Sequence, residues 1–391
     1  MEFLSNYLDN LERPVRVAYL SSYIPRKCGV ATYTKNLTTA INYLNPQHLA
    51  EIIAIEPYGE RLEYPPEVIQ CITKQDPASY REAAARFNES DAQILSVQHE
   101  FGLYGGNDSG NLILEFLREV KKPIVTTMHT LLSEPSQEHK ETFVEICARS
   151  HAVVAMLPNA QESISRLYGT LPEKLVTIHH GVEDRARSKR AGKKALGWEG
   201  RRVLLMSGLI GPDKGINEVL QALPAIAEKV PEILFVIVGQ THPEILVTQG
   251  EAYRESLVEQ IERLGCTEYV QFVNQYLPLD ELLAYYEACD IFLTPHRNPE
   301  QVTSGTLAYA IGMGKACIST RYLYAQEVLS DGRGMLVGFS APKQIAEAAI
   351  QLLTNSDLLK QTEARAYAYG RQMSWPRVAS RYLSLFRHLA Q

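Results

Sequence analysis

Short apolar runs alternate with amphipathic stretches along almost the whole chain. The first run is Val15–Tyr19, followed by a Pro/Gly-containing loop and a helical pattern over residues 32–44. Further runs lie at 52–55, 94–98, 123–129, 152–156 and 175–181, with amphipathic segments at 79–87, 112–120 and 142–149 between them. Strands buried on both faces read as continuous apolar runs, so this order predicts α/β layers around a parallel sheet. The pattern breaks over residues 183–202, which carry eight Lys or Arg and no strand-like run. It then restarts with runs at 203–208, 233–239, 270–274, 291–295, 316–320 and 334–339. The expected architecture is two doubly wound Rossmann-like domains facing a cleft. Their spans are 1–182 and 203–370, joined by a linker at 183–202 and closed by a helix at 371–391 that crosses back to the first domain.

Composition narrows the function. With 45% hydrophobic and 21% charged residues, 391 residues are enough for two ordinary cores. The 39 basic residues against 45 acidic ones, a formal charge of −6, argue against a dedicated nucleic-acid binder. Six cysteines, none closely paired, give neither a zinc knuckle nor a redox motif and fit a reducing compartment. The start of the sequence lacks the basic region and apolar run of a signal peptide, and no run of about 18 apolar residues occurs. A cytoplasmic location is expected. The basic stretch at 183–202 reads as a solvated linker helix.

Two segments carry chemistry. In MSGLIGPDKGINEVLQAL (206–223), Gly208, Gly211 and Gly215 permit tight turning after a strand, and a helix begins near Gly215 or Ile216. A helix start offers free amides and the positive end of its dipole to an anion, and Lys214 adds a charge beside it. In the segment reaching from Glu300 to Lys315, Ser304, Gly305 and Thr306 precede another helix and form a second anion-type turn. His129 at a strand end reads, by itself, as a core histidine. His179 and His180 are adjacent, so on a strand they face opposite sides and make a poor metal pair. No GxGxxG follows the first strand, which removes the nicotinamide-dependent class.

The chain resembles glycosyltransferase family 4, retaining enzymes of the GT-B fold. The resemblance rests on GPDKG (211–215), VIVG (236–239), YYEACDIFLTP (285–295), GKACIST (314–320) and SWPRVASRY (374–382). In the first half it rests on PRKCGVATYT (25–34), QHEFGLYGG (98–106), TTMHTLLSEPS (126–136) and IHHGV (178–182). It implies that Lys214 contacts the donor diphosphate, with Gly208, Gly239, Arg297, Glu300 and the Ser304–Thr306 turn around the donor. Tyr276, in the 274–277 loop, lies against the nucleobase. His129 faces the donor sugar, and Gly29, Val30, His99 and Glu100 belong to the acceptor side. Three positions depart from the family pattern: Leu209 stands where an arginine is usual, and Gln301 and Tyr309 stand where two glutamates are usual. Arg297, Arg321 or Arg333 are candidates to replace the missing arginine, and Glu300 is a candidate for the carboxylate role. The function implied is hexosyl transfer from a nucleotide sugar, GDP-mannose ahead of UDP-glucose, to a small-molecule or saccharide hydroxyl. Neither a metal nor a cofactor is called for. The alternatives are a non-catalytic sugar-nucleotide binder, or a GT-B epimerase or phosphorylase.

Overall fold

The computed structural model describes residues 14–391 apart from 58, 60, 133, 158, 159, 170–173, 186 and 187. Residues 1–13, read above for a signal peptide, lie outside the described residues. The chain divides into two compact units, Met1–Gly181 with Met373–Gln391, and Val182–Gln372.

The first unit runs β1 (Val17–Ser21), α1 (Gly29–Leu44), β2 (Glu51–Glu56), β3 (Val68–Thr73), α2 (Pro77–Glu89), β4 (Ile94–His99), α3 (Ile113–Leu117), β5 (Ile124–Met128), α4 (Gln137–Arg149), β6 (Ala152–Ala155), α5 (Ala160–Tyr168) and β7 (Leu175–Thr177). All seven strands are parallel in the order β3-β2-β1-β4-β5-β6-β7. Every residue of β1, β4, β5 and β6 is buried, as the continuous apolar runs required. Strand β3 is absent from the sequence-derived pattern. It is the sheet's edge, with Ile69 53% exposed and Gln70 and Thr73 interrupting its apolar residues, so half its positions face water. The helix expected over 112–120 is only one and a half turns long. Asn88 of α2 takes over the backbone there, donating to Glu119 O (2.8 Å) and accepting from Lys121 N (3.0 Å).

The second unit runs α6 (Lys189–Ala195), β8 (Arg202–Ser207), α7 (Ile216–Lys229), β9 (Ile233–Val238), α8 (Pro243–Gln249), α9 (Ala252–Arg263), β10 (Val270–Val273), α10 (Leu279–Ala288), β11 (Ile291–Thr294), α11 (Gly305–Gly312), β12 (Ala316–Thr320), α12 (Leu323–Val328), β13 (Met335–Val337), α13 (Pro342–Thr354) and α14 (Ser356–Gly370). Its six strands are parallel in the order β10-β9-β8-β11-β12-β13. Each sheet therefore reverses its strand order once, between β1 and β4 and between β8 and β11. In doubly wound sheets the carboxyl ends at such a reversal are where ligands bind.

The closing helix α15 (Trp375–Leu389) belongs to the first unit. Trp375, Val378, Ala379, Tyr382, Leu383 and Phe386 recur at helical spacing and are all buried, packing the helix on α1. The Tyr382 hydroxyl hydrogen-bonds the Tyr33 hydroxyl of α1 (3.1 Å) and Thr127 Oγ1 of β5 (2.9 Å), which fixes the helix's rotation.

Residues 183–202, expected as a linker, fold instead with the second unit. Asp290, 1% exposed at the start of β11, accepts from Val203 N (2.7 Å) and Lys193 Nζ (2.6 Å), with Lys189 Nζ 3.5 Å away. Lys189 also reaches Glu363 (2.7 Å). The basic run is thus pinned by a buried carboxylate. Replacing Asp290 by Ala strands Lys193 without its counter-charge and is expected to cost about 3–5 kcal/mol. Asp280→Ala, which removes a carboxylate 95% exposed and 3.5 Å from Arg185, should change stability by less than about 0.5 kcal/mol. Urea midpoints of the two variants test the contrast, and equal midpoints refute it.

Candidate functional site

In the second unit, three loops at the carboxyl end of the sheet are locked together through glycines. Gly208, just past β8, has φ 122° and donates to Val238 O (2.9 Å). Gly239, just past β9, has φ 150° and donates to Val273 O (2.9 Å). A Cβ on Gly239 would sit 1.8 Å from Gly208 O, so only glycine allows this approach. Beyond it, Ile210 N donates to Gln240 O (2.8 Å) and His242 N to Ile210 O (2.9 Å). A 3₁₀ turn, Pro212–Lys214, leads to Gly215 at φ 72°, where a Cβ would meet Pro295 O at 2.0 Å. Arg297 N donates to Asp213 O (3.0 Å) and ties the loop after β11 to the same knot.

Lys214 stands in this knot, half-buried. Desolvation lowers its pKa against the opposing pull of Asp213, and among the described residues no acceptor holds its ammonium. The next residue, Gly215, starts α7 without a side-chain cap, so the first amides of a 14-residue helix are left for another partner. Ser304 caps α11, accepting from Leu307 N (3.3 Å). Thr306 lies against the Gly208 turn, its Cγ2 3.6 Å from where a Gly208 Cβ would be, and Tyr286 Oη bonds both Thr306 O (3.2 Å) and Ser207 Oγ (2.6 Å). Gly208, Lys214, Gly239, Ser304, Gly305 and Thr306 are therefore brought to one place.

The charged and polar candidates around them are variously committed. Arg297 binds Glu218 Oε1 through Nε (3.0 Å) and Nη2 (2.6 Å). Arg333 donates to Val328 O and Glu327 O at the end of α12, and Arg321 is exposed. Tyr309 is 8% exposed, edge-on to Tyr286 with ring centroids 6.4 Å apart, on the buried side of α11. Glu300 and Tyr276 are half-buried in their loops. Lys315 turns inward, where its ammonium donates to Glu287 O (2.8 Å) and Cys289 O (3.0 Å) at the end of α10. Gln301 is held at both ends, accepting from His296 Nδ1 (2.9 Å) and donating to Thr303 O (2.9 Å).

Sequence reasoning missed two residues. His296, 5% exposed, stacks on Tyr322 with centroids 5.4 Å apart. Arg254, 9% exposed, reaches Gly239 O (3.2 Å) and Thr241 Oγ1 (3.3 Å) from α9 and lies over the Phe272 ring. The available signal for Arg254 was a cation on the same helical stripe as Leu257 and Ile261. For His296 it was only proximity to Gln301.

In the first unit, the carboxyl ends of β4 and β5 bring His99, Glu100 and His129 together; His129 N donates to His99 O (3.0 Å). Gln98 donates to Ser96 Oγ (3.3 Å), so its Oε1 accepts from His129 Nε2 (2.9 Å). Tyr33 meets His129 and His180 edge-on, at 4.8 and 5.1 Å. His180 Nδ1 donates to Gly181 O (2.7 Å), which commits it to the turn. The His99 ring is fully buried between Phe101 and Tyr104, with neither nitrogen partnered. The Thr130 hydroxyl donates to Glu100, whose pKa is nonetheless raised by burial. Gly29 and Val30 open α1, where Cys28 is the cap, and a Cβ at Gly29 would meet no atom of another segment within 4 Å. Among the described residues no cluster of His, Cys, Asp or Glu could hold a metal. A surface hollow of about 500 Å³ along β3, lined by Tyr64, Ile69 and Cys71, includes none of the candidate residues.

Burial drives His99 and His129 down to about 3 and His180 to about 4, from an ordinary 6.5; His296 is at about 3. Because the folded-state values are depressed, the unfolded chain takes up more protons below pH 6.5. Stability is then full above that pH and falls as pH drops toward the folded-state values, by up to about 1.4 kcal/mol per unit for each histidine. The urea midpoint should drop steeply from pH 7 to pH 5, and His129→Gln should make the slope shallower. A flat profile over that range would contradict the neutral-histidine arrangement.

Residues 188–372 match a family signature described as "Glycosyl transferases group 1". Spore coat protein SA of Bacillus subtilis is 25% identical over 262 residues, 62% of this chain and 66% of that relative, so the match spans just under two thirds of its length. Phosphatidyl-myo-inositol mannosyltransferase of Mycobacterium tuberculosis is 24% identical over 320 residues, 80% of this chain and 78% of that one. The crystal structure of Anabaena HepE in complex with UDP and glucose is similar with a TM-score of 0.75 at 15% identity, covering 96% of this chain and all of that one. At that identity the likeness establishes fold alone. Among the described residues no helix is long and apolar enough to cross a membrane. The chain thus has the two doubly wound sheets of the GT-B fold, with the glycosyl transferases group 1 signature on its second unit.

Proposed function

We propose that this protein transfers a hexose from a nucleotide-diphosphate sugar to a hydroxyl acceptor, with retention of configuration. The observation that carries the reading is Lys214: a desolvated ammonium with no acceptor among the described residues, beside the uncapped start of α7, where the strand order reverses. A diphosphate gains charge as the glycosidic bond breaks, and a preorganised cation with aligned amides stabilises that change. Ser304, Gly305 and Thr306 contribute the second set of amides and hydroxyls. Gly208 and Gly239 keep the floor free of side chains so that phosphates approach backbone. Tyr276 flanks the base.

Gln301 has no carboxylate, and its amide is bonded at both ends, so it supplies no nucleophile for a double displacement. A front-face reaction fits the residues present. The bond from the anomeric carbon to the phosphate oxygen breaks as the acceptor oxygen bonds the same face, and the acceptor proton passes to the departing phosphate. In the first unit, His129, held neutral by burial, is assigned as a hydrogen-bonding group for sugar, and Gly29, Val30, His99 and Glu100 are assigned to the acceptor. The acceptor is a small molecule or saccharide. GDP-mannose is the first candidate donor, supported by the mannosyltransferase relative. UDP-glucose is the second reading, supported by the HepE structure with UDP and glucose.

Nucleotide sugars should raise the melting temperature as ligands of the folded state. Lys214→Ala should lower turnover about 100-fold or more, the scale of removing one charge stabiliser. Unchanged turnover in that variant, or no thermal shift with any nucleotide sugar, sinks the reading. Binding without transfer or slow donor hydrolysis points instead to a non-catalytic sugar-nucleotide binder.

A further inference from the structure

We infer that His296, fixed in one tautomer by Gln301, is the hydrogen-bond acceptor that selects the sugar of the bound ligand. This inference rests on the sugar-nucleotide reading above. The orientation of the Gln301 amide is determined by its partners. Its Nε2 donates to Thr303 O (2.9 Å), and turning the amide over would set two acceptors against each other. Its Oε1 therefore faces His296 Nδ1 at 2.9 Å, so Nδ1 carries the proton. The imidazole is uncharged, because burial and the nearby Lys214 both disfavour a second proton. Nε2 is then an obligate acceptor.

The ring cannot turn to hide that lone pair. It stacks on Tyr322 at an interplanar angle of 14°, and Tyr322 Oη bonds Thr294 Oγ1 (3.3 Å). The His296 backbone is held on both sides, N to Thr294 O (2.8 Å) and O from the Thr320 hydroxyl at 2.5 Å. Among the described residues nothing donates to Nε2, and it is not one of the sealed, unpartnered atoms. An obligate acceptor thus neighbours Lys214, an obligate donor with no partner among the described residues. Phosphate oxygens suit the second and a hexose hydroxyl suits the first. Gln301 acts as a positioning residue: the hydrogen bond a glutamate would offer the ligand directly is delivered one residue further, through an imidazole.

A histidine that touches sugar and one that merely steadies Lys214 give different binding patterns. Titrations of the full chain with UDP, GDP, UDP-glucose and GDP-mannose separate them. His296→Phe keeps the stack on Tyr322 but removes the acceptor. It should weaken the bound nucleotide sugar about 10-fold, the upper range for one hydrogen bond, and leave the matching free diphosphate within about 2-fold. Gln301→Leu, which frees the tautomer, should show the same selective loss to a smaller degree. Gln301→Glu, which still accepts from Nδ1, should restore selectivity. Equal losses for sugar and free diphosphate, or no loss for either, overturn the role of His296. Diphosphate binding unaffected by Lys214→Ala overturns the donor reading itself, whichever way His296 behaves. Retained binding of the free diphosphate also serves as the folding control.

Discussion

The close approach of backbone to backbone at Gly208, Gly215, Gly239 and Pro295 is the constraint on which the second unit's chemistry depends. It lets three strand-end loops share one volume at the reversal point of the sheet, where side chains of ordinary size would hold them apart. Lys214 is desolvated because the knot is tight, and α7 begins where it does because Gly215 takes up a left-handed conformation against Pro295. A cation and a set of helix amides become convergent without any side chain reaching for them. The same tightness explains why Arg297 is turned aside: its amide is tied to Asp213, and its guanidinium closes on Glu218, locking the loop to the helix.

Charge is distributed differently in the two units. Among the described residues the first unit buries four histidines, His99, His129, His179 and His180, and desolvation disfavours their charged form, so they offer hydrogen bonds without fields. The second places an ammonium near the start of α7 with the neutral His296 imidazole close to it. Three other cations of that unit are held by acceptors, Lys193 by Asp290, Lys315 by carbonyls and Arg333 by the end of α12. Lys214 differs from surface cations such as Lys343 and Lys360 in being desolvated, which is why the proposed function puts the anionic group there.

The sequence made most of the sheet legible, because strands buried on both faces leave unbroken apolar runs. Strand β3 escaped since an edge strand with one wet face carries no such run. The basic stretch at 183–202 misled for a related reason: lysines that bond a buried aspartate are indistinguishable, in sequence, from lysines in solvent. In the site, Lys214 and the glycines were legible as a spacing. Arg254 and His296 were not, since what makes them informative is a carbonyl or an amide contributed by a distant loop. Tyr309 shows the converse, a position assigned by resemblance whose ring lies in the helix-packing layer beside Tyr286.

Leu209, Gln301 and Tyr309 have a common physical consequence in the second unit. Leu209 adds no cation, and Gln301 and Tyr309 add no carboxylate, so none of the three requires a counter-charge. A lone arginine or a lone carboxylate in a buried setting would be a desolvated charge without its counterpart, which costs several kcal/mol. Three uncharged side chains avoid that penalty. In the second unit this leaves Lys214, the amides at the start of α7 and a neutral imidazole whose direction is set by a secondary contact, His296 by Gln301; in the first unit Gln98 does the same for His129. With so few charges, the direction of each neutral group has to be fixed by its neighbours.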